Sequence, residues 1–215
     1  MVKAIIFDLD GTLVDTSRDI QFALNGSLKK FGLKELSLED TVKFVGDGAK
    51  KLVERAVGAD GEMVCKVYED FSERYLNSRN ELSTLYKGEE KALNLFNNVG
   101  IKLALLTNKP QSATVHVYDK FLAKFGFCEV LGQTEQYPLK PNPTSTLAIL
   151  NNLDAKKEEC VFVGDGEADI RTAAAAGLKC ISVLWGFRSR EQLERAGGRI
   201  FVNSYDELAE IILEE

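Results

Sequence analysis

The stretch Ala4-Ile5-Ile6-Phe7-Asp8-Leu9-Asp10-Gly11-Thr12 runs an apolar segment straight into two carboxylates and a glycine. Four consecutive apolar residues without polar alternation predict a strand covered on both faces, as in a parallel sheet. On an extended chain residues two apart point the same way, so Asp8 and Asp10 share one side while Leu9 takes the other. Gly11 then permits a sharp exit. Carboxylates at the carboxyl end of a parallel strand sit where open α/β sheets bind ligands. A plain surface turn is the bland alternative, since Asp and Gly favour turns. A calcium loop is excluded, because aligning Asp8, Asp10 and Gly11 to its pattern puts Ile6 and Ser17 where acids belong.

Short apolar runs recur at Lys102 to Leu106, Val161 to Val163, Ile181 to Leu184 and Ile200 to Val202, and from Leu93 onward helical patterns alternate with them. That alternation predicts an α/β fold: a mostly parallel, Rossmann-like sheet with helices on both faces. Between Asp15 and Ser83 the texture changes. Ile20, Ala23, Leu24 and Leu28, then Leu52, Val53, Ala56 and Val57, then Val64, Val67, Tyr68 and Phe71 recur at helical spacing with no convincing strand. Residues 15–83 are therefore expected to form an all-helical cap inserted after the first strand, with residues 1–14 and 84–215 forming the α/β core.

The bulk composition sets limits on function. With 215 residues, 45% hydrophobic and 28% charged, the chain suits one large domain plus at most one small one. A formal net charge of −6 argues against a nucleic-acid footprint, which needs a basic face. An anionic substrate must then be met by a compact cationic pocket. The run Val2 to Phe7 is too short for a signal-peptide core, and no window reaches the roughly 18 to 20 apolar residues of a membrane span. A soluble, cytoplasmic protein without membrane or nucleic-acid partners, monomeric or homodimeric, is expected. Cys65, Cys128, Cys160 and Cys180 form no CxxC pair and read as buried free thiols. His116, the one histidine, is expected to be solvated or structural.

Three more segments add chemistry at predicted strand ends. Leu106-Thr107-Asn108-Lys109 closes the second strand with a hydroxyl and an amide; alone it reads more readily as a turn than as a site. Lys140-Pro141-Asn142-Pro143 fixes a lysine on rigid backbone before a helix from Thr144. Gly164-Asp165-Gly166-Glu167-Ala168-Asp169 repeats the opening theme, ahead of a helix that ends at Gly177. A dinucleotide fingerprint fails there, because Asp169 stands where a glycine or alanine is required and the acids would repel a pyrophosphate.

Taken in order, Asp8-x-Asp10-Gly11-Thr12, Thr107-Asn108, Lys140-Pro141 and Gly164-Asp165-x3-Asp169 resemble the haloacid dehalogenase-like superfamily of phosphohydrolases over nearly the whole chain. The resemblance implies that Asp8 is the nucleophile and that Asp10 is the acid and then the base. It implies that Asp8, Asp165 and the backbone carbonyl of Asp10 hold Mg2+, with Asp169 behind them. Thr107 would bond a phosphoryl oxygen, Lys140 would balance the acids, Asn108 would be a further donor, and the N–H groups of Gly11 and Thr12 would cradle phosphate. The segment Phe44-Val45-Gly46-Asp47-Gly48-Ala49-Lys50-Lys51 and the later Trp185-Gly186-Phe187 look like those of the phosphoglycolate phosphatase subgroup. That implies a small phosphorylated metabolite, 2-phosphoglycolate foremost. On a helix opening at Ala49 after Gly48, Lys51 and Arg55 flank the buried stripe of Leu52, Val53 and Ala56, so Gly48, Lys51 and Arg55 are expected around the substrate, with one of the two cations meeting its carboxylate. Pyrophosphatase, nucleotidase, sugar phosphatase or phosphomutase chemistry are the alternatives, and a non-catalytic phosphate-binding module on the same fold is a further one. A true dehalogenase would not need Asp10 or Asp165.

Overall fold

The computed structural model describes residues 1–59 and 61–214. In chain order the elements begin with β1 (Ala4–Phe7), the short β2 (Val14–Asp15), and four helices, α1 (Ser17–Lys30), α2 (Leu38–Phe44), α3 (Ala49–Val57) and α4 (Glu62–Asn77). The chain returns through β3 (Thr84–Leu85) and continues with α5 (Glu89–Asn98), β4 (Lys102–Pro110), α6 (Gln111–Phe121), β5 (Glu129–Gln133) and α7 (Thr144–Asn152). It ends with β6 (Cys160–Gly164), α8 (Glu167–Ala176), β7 (Lys179–Val183), α9 (Arg190–Arg195), β8 (Ile200–Val202) and α10 (Tyr205–Glu214).

Six strands form one parallel sheet in the order β5-β4-β1-β6-β7-β8. The opening strand is thus central: Ile5 pairs with Leu103 on one side and Val161 on the other. Alternation along β1 feeds two cores. Ile5 and Phe7 pack with Leu93 and Phe96 of α5 and with Tyr205 and Leu208 of α10. Ala4 and Ile6 pack with Ile149 and Leu150 of α7 and Ala173 of α8. Full burial of each large apolar side chain here contributes about 1.5–3 kcal/mol.

The expected strands are present, and β5 is an addition, as are the two-residue strands β2 and β3. β5 lies at the sheet edge, is only partly buried, and carries the polar residues Glu129 and Gln133, so it lacks the apolar run by which a central strand announces itself. The second strand also extends beyond Leu106, to Pro110. The expectation of buried cysteines holds for Cys160. It fails for Cys65 and Cys128, which are exposed, while Cys180 is intermediate. No described helix is long and apolar enough to cross a membrane.

Helices α1 to α4 build a third apolar cluster around Leu24, Leu52, Val67 and Phe71, which reaches Ala113 of α6 and Phe187 beyond β7. The chain leaves and re-enters the sheet region through β2 and β3, paired antiparallel (Val14 with Leu85, Asp15 with Thr84). Buried Asp19 of α1 pins the returning strand, accepting from the Leu82 N–H at 3.0 Å and the Ser83 hydroxyl at 2.5 Å.

Glu89, the first residue of α5, is fully buried, and neither carboxylate oxygen has a well-formed hydrogen bond. Burial pushes its carboxyl from 4.5 up to about 9, the nearby Tyr86 N–H offsetting only part of the effect. The folded chain then keeps a proton that the unfolded chain releases, so stability falls as pH rises from about 4.5 towards 9. At pH 7 this amounts to about 3 kcal/mol. Glu89→Gln removes the ionisation while keeping the shape. Denaturant unfolding should show the variant more stable than wild type at pH 8, with the gap closing by pH 5. A gap that does not change with pH would show that Glu89 does not titrate in this way.

Candidate active site

The carboxyl ends of β1, β4 and β6 converge on one cleft, and the loop that carries Lys140 closes it from the side. Asp8 extends the β1 ladder by one residue, its N–H donating to the Val163 carbonyl at 2.9 Å, which aims its side chain into the cleft. Lys140 lies 2.8 Å from Asp8 Oδ1 and 2.6 Å from Asp169 Oδ1, and also donates to the Leu106 carbonyl at 3.1 Å. Burial would discharge this lysine, yet Asp169 and Asp8 outweigh it and hold the ammonium above its ordinary range.

Asp165 follows β6 and accepts from the Thr12 hydroxyl at 3.2 Å and the Phe187 N–H at 2.6 Å. Oxygens of Asp8, Asp165 and Asp169, all three buried, lie within 4.8 Å of one another. One lysine cannot balance three acids. Burial lifts Asp8 to about 6 against the pull of Lys140, and lifts Asp165 to about 8, with Asp8 and Asp169 adding to the effect. Asp169 also accepts from the Gly166 N–H at 3.0 Å, so the start of α8 orients the acid that orients Lys140.

Asp10 is held apart from this cluster. Its carboxylate accepts from the Thr16 hydroxyl at 2.5 Å and from Lys109 Nζ at 2.9 and 3.0 Å. The Lys109 ammonium also stands 4.4 Å from the centre of the Tyr75 ring of α4. Burial opposes charge on Lys109, but Asp10 keeps it charged.

The structure brings Asp8, Asp10, Thr107, Asn108, Lys140, Asp165 and Asp169 to a single cavity of about 430 Å3, with Gly48 on its cap wall. Asn108 is a clamp: its carbonyl accepts from the Lys140 N–H at 2.8 Å, and its amide donates to the carbonyls of Lys140 (3.1 Å) and Gly46 (3.0 Å). Gly11 and Thr12 do not form the expected phosphate cradle. Their N–H groups close the turn by donating to Val14 and Leu9, and the two residues pack under Asp165, where a Cβ on Gly11 would stand 2.3 Å from Asp165 Oδ2. Lys51 and Arg55 do not line the cavity either. Arg55 pairs with Asp47 and the Phe44 carbonyl, and Lys51 pairs with Glu54, because both extend from the outer face of α3.

Sequence reading did not single out Lys109, Tyr75 and Arg188. Arg188 lines the cavity and bonds Glu167 at 3.0 Å and the cap carbonyls of Val42 (3.0 Å) and Val45 (2.5 Å). Lys109 adjoins the quoted Thr-Asn pair, so proximity was the one available signal. For Arg188, whose partners are backbone carbonyls distant in sequence, there was none.

Known proteins are similar to this chain over most of its length. The profile of the haloacid dehalogenase-like hydrolases matches residues 5–183. The phosphoglycolate phosphatase of Vibrio parahaemolyticus is 30% identical, over 98% of this chain and 96% of its own. That of Aquifex aeolicus is 31% identical, over 86% of each. A crystal structure from Lactobacillus delbrueckii subsp. bulgaricus, provisionally described as a phosphoglycolate phosphatase, superposes with a TM-score of 0.93 at 30% identity, covering 99% of both chains. With the site geometry, these likenesses establish that the chain belongs to the haloacid dehalogenase-like hydrolase family, as a phosphoric monoester hydrolase.

Proposed function

We propose that the chain is a Mg2+-dependent phosphatase that hydrolyses a small phosphate monoester, 2-phosphoglycolate foremost, through an aspartyl-phosphate on Asp8. The observation that carries this reading is the division of labour between two aspartates on one strand end. Asp8 lies against Lys140 in an acid cluster, and Asp10 stands apart with its own hydrogen-bond partners. The substrate is argued from the relatives, which are named phosphoglycolate phosphatases at about 30% identity.

The residues fit a divalent cation. Oxygens of Asp8, Asp165 and Asp169 lie within 4.8 Å of one another, and by the family resemblance Asp8, Asp165 and the Asp10 carbonyl would hold Mg2+, with Asp169 behind them on Lys140 and the Gly166 N–H. Bound there, the cation would offset the repulsion between Asp8 and the phosphate and polarise the phosphoryl oxygens.

The chain's own groups account for the rest. An Asp8 oxygen attacks phosphorus as the bond to the leaving oxygen breaks, while Lys140 and the Thr107 hydroxyl stabilise charge on the moving phosphoryl group. Asp10 donates its proton to the departing alkoxide. It then removes a proton from the water that attacks the aspartyl-phosphate, releasing inorganic phosphate and restoring Asp8. Thr16 keeps the Asp10 carboxyl oriented through both steps. The cap segment Gly46 to Ala49 faces this centre and bounds the substrate.

Replacing Asp8 by Asn keeps the shape but removes the nucleophile. Turnover should fall by at least roughly a thousandfold, with binding better preserved. A variant that keeps a tenth of wild-type turnover would rule out the covalent route. EDTA should abolish phosphate release and Mg2+ restore it, with Asp165→Ala needing far more metal; full activity after exhaustive chelation removes the metal from the reaction. Across a substrate panel, kcat/KM should be higher for 2-phosphoglycolate than for ATP, pyrophosphate or p-nitrophenyl phosphate. A reversed order would move the assignment to another phosphatase class.

A further inference from the structure

We infer that Lys109 selects substrates that carry a second anionic group close to the ester oxygen, by releasing one of its contacts to meet that group. The inference rests on the phosphatase reading above and adds the residue that would enforce it. Three cations line the cavity: Lys140, Arg188 and Lys109. An ammonium has three N–H donors. Lys140 donates to Asp169 and the Leu106 carbonyl and stands 2.8 Å from Asp8 Oδ1, on the phosphate side. Arg188 is turned to Glu167 and two cap carbonyls. Lys109 differs from both, because its hydrogen bonds go to the two oxygens of one carboxylate and its remaining close neighbour is Tyr75, through the ring face and the nearby hydroxyl. A ring face is a weaker partner for an ammonium than a carboxylate is.

Position gives the contact its meaning. Asp10 is placed to protonate the leaving oxygen, so an ammonium 2.9 Å from Asp10 stands beside the leaving group rather than the phosphate. In 2-phosphoglycolate the carboxylate is one methylene from that oxygen, within reach of the same ammonium. The wall around it carries Leu52, Phe71 and Tyr75, alongside Ser72 and the exposed Glu69. A carboxylate pressed against the apolar groups of that wall without a cation pays heavily in lost hydration. The Thr16 hydroxyl, bonded to Asp10 at 2.5 Å, keeps the acid in place when Lys109 shares its charge.

The test compares kcat/KM for 2-phosphoglycolate with that for ethyl phosphate, which has a methyl in place of the carboxylate, in wild type, Lys109→Met and Lys109→Arg. Both substrates should lose some kcat in the Met variant, because Asp10 loses a partner. The ratio isolates selection from that loss. It should fall by roughly 10- to 100-fold, mainly through KM, as for a lost charge-assisted hydrogen bond, and Lys109→Arg should restore most of it. Thermal shifts by the two esters with Mg2+ read binding independently, and the larger shift from 2-phosphoglycolate should disappear in the Met variant. If that variant does not fold, Lys109→Gln, which keeps a donor for Asp10, carries the same comparison. A wild-type preference that survives loss of the ammonium overturns the inference alone. Phosphate release from neither ester, with the binding difference intact, overturns the functional reading alone. A wild type indifferent to the carboxylate in both rate and binding overturns the inference together with 2-phosphoglycolate as substrate.

Discussion

One buried ammonium holds the site together. Lys140 is the cation that Asp8 and Asp169 share, with Asp165 close by. Burying several charges costs more than their pairing usually returns, and well-packed apolar residues in their place are often neutral or stabilising. Stability is therefore a poor reason for the cluster. Chemistry is a better one: acids kept above their ordinary range beside an ammonium form a centre ready to accept further positive charge and an anionic substrate. Lys140 is in turn fixed through its backbone by Asn108, so β4 sets the height of a lysine that lies 32 residues further along the chain.

The fold serves that interaction through close approach. Gly186 lies so near Asp165 that a Cβ there would come within 2.2 Å of the Asp165 Cβ, so the loop after β7 can seat its Phe187 N–H on the carboxylate only with glycine at 186. On the far side the Trp185 indole N–H and the Tyr205 hydroxyl both donate to the Thr12 carbonyl, at 3.1 and 2.8 Å. This aromatic brace, with the two rings 4.7 Å apart, fixes the turn after β1 from outside the cleft. The turn can thus spend its own N–H groups on closing itself.

What sequence revealed and what it hid divide along physical lines. Strand ends were legible because an apolar run meeting Asp8 or Asp165 is a local pattern, and so were helix limits such as Ala49 and Gly177, where glycine takes a left-handed backbone or precedes a turn. β5 was hidden because an edge strand needs little apolar content. Which way a charge points was hidden as well. Lys51 and Arg55 looked suited to an anion, but α3 buries Leu52 and Val53, which leaves Arg55 to fold back on Asp47. Lys109 looked like a turn residue until Asp10, 99 positions away, proved to be its partner.

The contacts joining cap to core have a consequence for substrate choice. Arg188 grips the carbonyls of Val42 and Val45, and Asn108 grips that of Gly46, so backbone contacts join the helical segment to the sheet region beside the packing of Ala113 and Phe187. Backbone carbonyls are present whatever side chain the residue carries. Gly48 fits the same logic, since its left-handed backbone lets the segment settle 3.3 to 3.5 Å from Leu139 and Asn108, measured from where a Cβ would sit. Wall residues outside the apolar cluster, such as the exposed Glu69 and half-buried Ser72, can therefore change without disturbing these backbone contacts, whereas Leu52, Phe71 and Tyr75 are buried in that cluster.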